Sequence, residues 1–181
     1  EADVTEQQKR ELLHMSNLLR IAGNELTVRM RKNLEQLKRT KKYKELVQEH
    51  LTLKKANDKV KETQKYKKEK EALTAELKAL RKKYNVTWDF CRAKMIEIKK
   101  KYNITAVFAL AQAENIWHGV ERCLYGNGKN LHFKERGVFP EIKAKQLRGG
   151  IIPKLQGKDG KTALIFKIGK IEFGIKTKEN D

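Results

Sequence analysis

The sequence predicts an α+β fold, with an N-terminal helical bundle followed by a small antiparallel β-rich, incomplete barrel-like region. Three observations carry that reading. Up to His118 the chain holds one glycine, Gly23, and no proline, whereas the remainder holds the other ten glycines together with Pro140 and Pro153. Apolar residues recur at helical spacing in the first part and alternate in the second. Two-residue glycine-containing connections then join apolar runs near the C-terminus. The expected boundary separates a helical recognition-like domain, residues 1–125, from a β-rich wedge-like region, residues 126–181.

The first helix is marked by Leu12, Met15, Leu19, Ala22, Leu26, Met30 and Leu37, which recur at steps of three, four or seven and draw one apolar stripe. Gly23 lies close to that stripe and permits close helix approach, at a cost of about 1 kcal/mol against alanine. The pattern pauses near Thr40, and Tyr43, Leu46 and Leu53 begin a second helix. Val60 to Tyr84 forms a third stretch in which Leu73, Leu77, Leu80 and Tyr84 make a short coiled-coil-like seam, read as one side of a packed helical hairpin.

An internal echo follows: Lys82-Lys83-Tyr84-Asn85-Val86-Thr87 recurs as Lys100-Lys101-Tyr102-Asn103-Ile104-Thr105. The lysines suit the negative end of a helix dipole. Asparagine accommodates the left-handed closing conformation, and threonine caps the next helix. Thr87 to Lys101 is therefore expected as a short helix. Ala106 to Tyr125 follows, with Val107, Leu110, Ala113, Trp117, Val120 and Leu124 expected on its apolar face.

Beyond Gly126 the period shifts to two. Leu131-His132-Phe133 and Ile151-Ile152 are candidate strands. Ala163–Ile168, Gly169-Lys170 and Ile171–Ile175 read as a hairpin, and another turn is expected at Gly157-Lys158-Asp159-Gly160. The meander is too small to close as a barrel and is expected to borrow a strand from elsewhere.

Lys and Arg total 42 against 23 acidic residues, a formal charge of +19. A body so charged calls for a polyanionic partner, and nucleic acid leads because each neutralised phosphate releases a condensed counterion. Cys91 and Cys123 stand apart with no paired spacing, which suits a reducing compartment. No signal peptide is visible, and the longest apolar stretch, near Ala106 to Ala113, is far too short to span a bilayer. A cytoplasmic, nucleoid-associated location in a bacterium or archaeon is expected, with no membrane partner.

No catalytic chemistry is legible. Gly160-Lys161-Thr162 lacks the earlier glycine of a phosphate-binding loop, Leu155 standing in its place, and it joins strands rather than a strand to a helix. His14, His50, His118 and His132 show no metal-ligand spacing with each other or with the cysteines. No catalytic residue, metal site or cofactor is therefore assigned. The candidate RNA- or phosphate-binding residues are Arg122, Tyr125, Gly126, Gly128, Lys129, His132, Lys134 and Arg136, where basic groups mix with rings able to stack and glycines whose amides can approach phosphate.

The run Leu124-Tyr125-Gly126-Asn127-Gly128-Lys129, then Leu131-His132-Phe133-Lys134 and Arg136-Gly137, resembles the TnpB-type proteins of insertion sequences and the compact type V CRISPR effectors related to them. The Ala106 to Trp117 helix and the Leu18 to Leu37 segment with Gly23-Asn24-Glu25-Leu26 are similar too. That resemblance implies the nucleic-acid-binding portion of an RNA-guided DNA endonuclease. Its wedge grips the guide RNA scaffold, its helices contact the guide–target duplex, and pairing reads the sequence. It also implies a structured guide RNA and target DNA as partners. The RuvC-like nuclease part of such proteins is absent from this chain, as is their first wedge strand. Two other readings compete: a helical protein–protein interaction module using Leu73, Leu77 and Leu80, and a nuclease-dead regulator that binds DNA by itself.

Overall fold

The computed structural model describes residues 2–3, 5–57, 64–126, 128–137, 151–158, 161–168 and 171–175, with the residues from 151 onward and residues 2–3 described by backbone alone. In chain order the elements are β1 (Ala2–Asp3), α1 (Glu6–Arg39), α2 (Lys41–Asn57), α3 (Gln64–Lys83), α4 (Trp88–Lys101), α5 (Ala106–Leu124), β2 (Ile151–Lys158), β3 (Lys161–Ile168) and β4 (Ile171–Ile175).

Local sequence sets the helix ends. Thr5 and Gln8 form a reciprocal capping box before α1: the Gln8 amide donates to Thr5 Oγ1 at 3.2 Å, and the Thr5 amide donates to Gln8 Oε1 at 2.8 Å. Thr40 ends α1 and starts α2, its hydroxyl donating to the Leu37 carbonyl and accepting from the Tyr43 amide. The internal echo produces one backbone device twice. Asn85 and Asn103 both adopt positive φ, 56° and 51°. The Val86 amide reaches back to the Arg81 carbonyl at 2.8 Å, and the Ile104 amide to the Lys99 carbonyl at 2.9 Å. These are matching Schellman closures, each followed by a buried apolar residue. The two threonines then differ. Thr87 Oγ1 accepts from the Phe90 amide, whereas Thr105 makes no side-chain cap, contrary to expectation.

The chain groups into two compact units, one of residues 28–91 and one of residues 1–27 with 92–181. Within residues 28–91, Met30, Leu34 and Leu37 of α1 are buried, as are Tyr43 and Leu46 of α2, Leu77 of α3 and Val86. Helices α2 and α3 pack together as the expected hairpin, with Lys42 Nζ 2.8 Å from Glu76 Oε2. In the other unit, Leu19, Ala22 and Leu26 of α1 are buried, with Met95 and Ile98 of α4 and Phe108, Ala109, Val120 and Cys123 of α5.

The α+β class expected from the sequence is corrected. Every buried side chain described lies on α1–α5 or in the connections next to them, so the packed body is all-helical. Leu131-His132-Phe133 is not a strand. Its apparent alternation fails because Leu131 is buried while both His132 and Phe133 are exposed. What lies from Ile151 onward is backbone pairing alone: an open antiparallel ladder in the order β1-β4-β3-β2, not a barrel. It pairs Leu155 with Leu164 and Phe166 with Phe173, and its outer strand is the chain's own Ala2–Asp3 against Ile175 and Gly174. The turn residues 159–160 and 169–170 lie outside the described residues.

The buried face of α5 is also shifted from the expected one. Ala113, Val120 and Leu124 are buried, but Val107, Leu110 and Trp117 are only half-buried, and Phe108, Ala109, Gln112 and Cys123 complete the face instead. Apolar residues occur almost all round the first half of α5, so periodicity alone did not orient it. Among the described residues no helix is long and apolar enough to cross a membrane.

Candidate functional site

Three consecutive residues of α1 organise the site, each touching a different element of the same compact unit. Gly23 faces α5: a Cβ built there would lie 2.5 Å from Gln112 Nε2. Asn24 holds the segment after α5, donating from Nδ2 to the Lys134 carbonyl at 2.9 Å and accepting at Oδ1 from the Lys134 amide at 2.9 Å. Glu25 Oε2 accepts from Lys101 Nζ and from the Tyr102 hydroxyl, both at 3.0 Å, at the end of α4. That hydrogen bond to Glu25 raises the Lys101 pKa above its ordinary value.

Helix α5 ends at Tyr125, whose amide donates to the Glu121 carbonyl at 2.9 Å, and Gly126 follows at φ 84°. That left-handed step suits glycine and ends the helix. The chain then runs back along α5. Gly128 lies close enough that a Cβ would stand 3.4 Å from Arg122 Cβ, and Leu131 is buried against Gly119, where a Cβ would meet its Cδ2 at 3.0 Å. Pinned at Leu131 and Lys134, this segment closes a cleft of about 640 Å³, within the roughly 300–1,000 Å³ that small-ligand sites occupy.

Of the sequence-predicted residues, Arg122, Gly128, Lys129, His132 and Lys134 line this cleft. Tyr125, Gly126 and Arg136 are exposed but are not among its lining residues. Phe133 does line it, and is 43 % exposed. No aspartate or glutamate is among the described residues of the lining. That matters in a chain with 23 acidic residues, because a carboxylate in the wall would oppose an anion there.

Sequence reasoning missed the amides. Asn24, Gln112, Asn115 and Asn130 all line the cleft. Asn24 lay in the Gly23–Leu26 run, and Gln112 and Asn115 in the Ala106 to Trp117 helix, but none of them carried a role in the sequence. Asn115 and Asn130 are ordinary polar residues in sequence, and Gln112 is notable only as the single polar interruption of an apolar run. His118 pairs with Glu121 at 3.1 Å. No group of three or more His, Cys, Asp or Glu able to hold a metal occurs among the described residues. Cys91 and Cys123 are buried and in no disulfide, and burial pushes the Cys91 pKa up to about 12.

No protein-family model, curated protein or solved structure matches the chain.

Proposed function

We propose that the chain binds structured RNA, with the cleft between α1, α5 and the segment Gly128–Lys134 as a point of contact. The observation that carries this reading is a wall supplying Arg122, Lys129 and Lys134 with no carboxylate among its described lining, in a chain of formal charge +19. Guanidinium and ammonium groups take phosphate, and the unopposed charge favours counterion release from a nucleic-acid backbone. Phe133 in the same lining and Tyr125, 65 % exposed at the end of α5, offer ring surface of the kind RNA-binding surfaces use.

The resemblance of Leu124 to Gly137 to TnpB-type proteins supports a narrower form of the proposal. In that form the chain is the guide-binding portion of an RNA-guided DNA endonuclease, working in the cytoplasm with a guide RNA and target DNA, and cutting is done by a RuvC-like part outside this chain. The interaction-module alternative loses its ground, since Leu77 is buried and Leu73 and Leu80 are half-covered where α3 packs on α2.

The test is to crosslink the chain in its native cells, purify it and sequence the RNA attached. One dominant structured RNA with a variable end supports the guide-binding reading. A smear of abundant RNAs, or none, reduces the charge to non-specific attraction and overturns it.

A further inference from the structure

We infer that the cleft accepts a single unstacked nucleobase, whose hydrogen-bonding edge is read by the side-chain amide of Gln112. This rests on the RNA-binding reading and specifies what part of the RNA enters.

Gln112 is 8 % exposed, on a stretch of α5 where Ala111 and Ala113 on either side are buried too. Glutamine is mostly exposed in proteins, and when buried its amide is normally hydrogen-bonded. Here the amide makes no hydrogen bond among the described residues, yet it lines the cleft. Gly23 leaves the room that it occupies. The amide nitrogen occupies the space in which any other residue would place a Cβ, so the group lies directly on the bare backbone of α1. Lining the cleft without a protein hydrogen-bond partner among the described residues, the amide is open to a ligand.

The chemistry of that ligand follows from the rest of the wall. Asn115 and Asn130 add two more side-chain amides, also without a hydrogen bond among the described residues. Each amide offers paired donors and an acceptor, which together complement the neutral donor–acceptor edge of a base, whereas a phosphate would use the donors alone. Ile116 and Leu131 give the lining apolar surface, and Phe133 adds a ring on which a base can stack. Arg122 and Lys129 in the same wall suit the phosphate attached to that base. A base still paired in an RNA helix has its edge occupied, so the nucleotide that enters is unpaired.

The test uses the full chain and fluorescent ten-nucleotide single strands of oligo(A), oligo(C) and oligo(U), with binding read by anisotropy. The wild-type affinities are expected to spread by about tenfold, the size of one good edge-reading contact. Gln112→Leu and, separately, the exposed-site change Asn115→Ala are expected to shrink that spread to roughly twofold. The salt dependence set by phosphate contacts should persist in both. Asn115→Ala keeps the test open should Gln112→Leu fail to fold, which circular dichroism would show. An unchanged spread in Asn115→Ala and in folded Gln112→Leu overturns the inference while leaving phosphate binding intact. Uridine monophosphate binding as tightly as oligo(U) would assign the cleft to a free nucleotide and overturn the RNA source. Loss of the RNA reading itself shows differently, as a salt slope that charge reversal at the wall does not alter.

Discussion

Asn24 and Lys134 grip each other by two hydrogen bonds of 2.9 Å across a sequence separation of 110 residues. One side-chain amide satisfies both the donor and the acceptor of a single peptide position, much as a neighbouring strand would. Residues 128–137 have no helix or strand of their own, so this pair, with buried Leu131, sets where the cleft wall stands.

Replacing Asn24 by alanine removes both bonds. At about 0.5–1.5 kcal/mol net for each, denaturant unfolding should show a loss of roughly 1–2 kcal/mol. Amide exchange at Lys134 should accelerate more than exchange within α5. If exchange at Lys134 is unchanged, the segment is held by something else.

Gly23→Ala should separate stability from recognition. The helix gains about 1 kcal/mol in propensity, while the added methyl displaces the Gln112 amide, the end of a flexible side chain that can turn into the open cleft at small cost. The expected outcome is a stability change of no more than about 1 kcal/mol by thermal or denaturant unfolding. The change in discrimination among bases should be far larger than that small stability change implies.

Charge reversal of Lys129, Lys134 and Arg136 together to glutamate should weaken RNA binding. It should also lower the slope of log affinity against log salt by roughly two to three units. Arg136 is exposed outside the cleft lining. A double variant sparing it therefore shows whether contact extends past the cleft: an equal effect confines the interface to the wall.

Burial gives the Cys91 thiol a pKa of about 12 against an ordinary 9.0. The folded state then holds a proton that the unfolded chain releases first. Stability should be fully present below pH 9 and decline between pH 9 and 12, by up to about 1.4 kcal/mol per pH unit from this group. Cys91→Ala should flatten that decline, measured by urea unfolding at a series of alkaline pH values.

Much of the helical layout was legible because its signals are local. The lysine–tyrosine–asparagine echo marked two helix ends within six residues each, and both asparagines take the left-handed conformation expected of them. Tyr43 and Leu46 marked α2 by spacing alone. The face of α5 was not legible, since Phe108, Ala109, Leu110 and Ala111 are apolar in succession and a continuous run has no direction. The β-rich expectation at Leu131 rested on three residues, too few for alternation to separate a strand from an extended segment pinned by one leucine. The basic part of the candidate site was visible as charge. Its amide part was not, because Gln112 acquires meaning only when Gly23, far away in sequence, leaves room for it.

The two Schellman closures also bear on how the chain folds. Both are completed within six residues, Arg81 to Val86 and Lys99 to Ile104, so neither waits for distant segments to arrive. Contacts this short close early, before long-range partners are found. The register of α4 is thereby set ahead of its docking. One residue inserted between Thr87 and Cys91 would turn its row of Cys91, Met95 and Ile98 by about 100° relative to the start of the helix. The error would be locked in by the same stops that make correct folding fast.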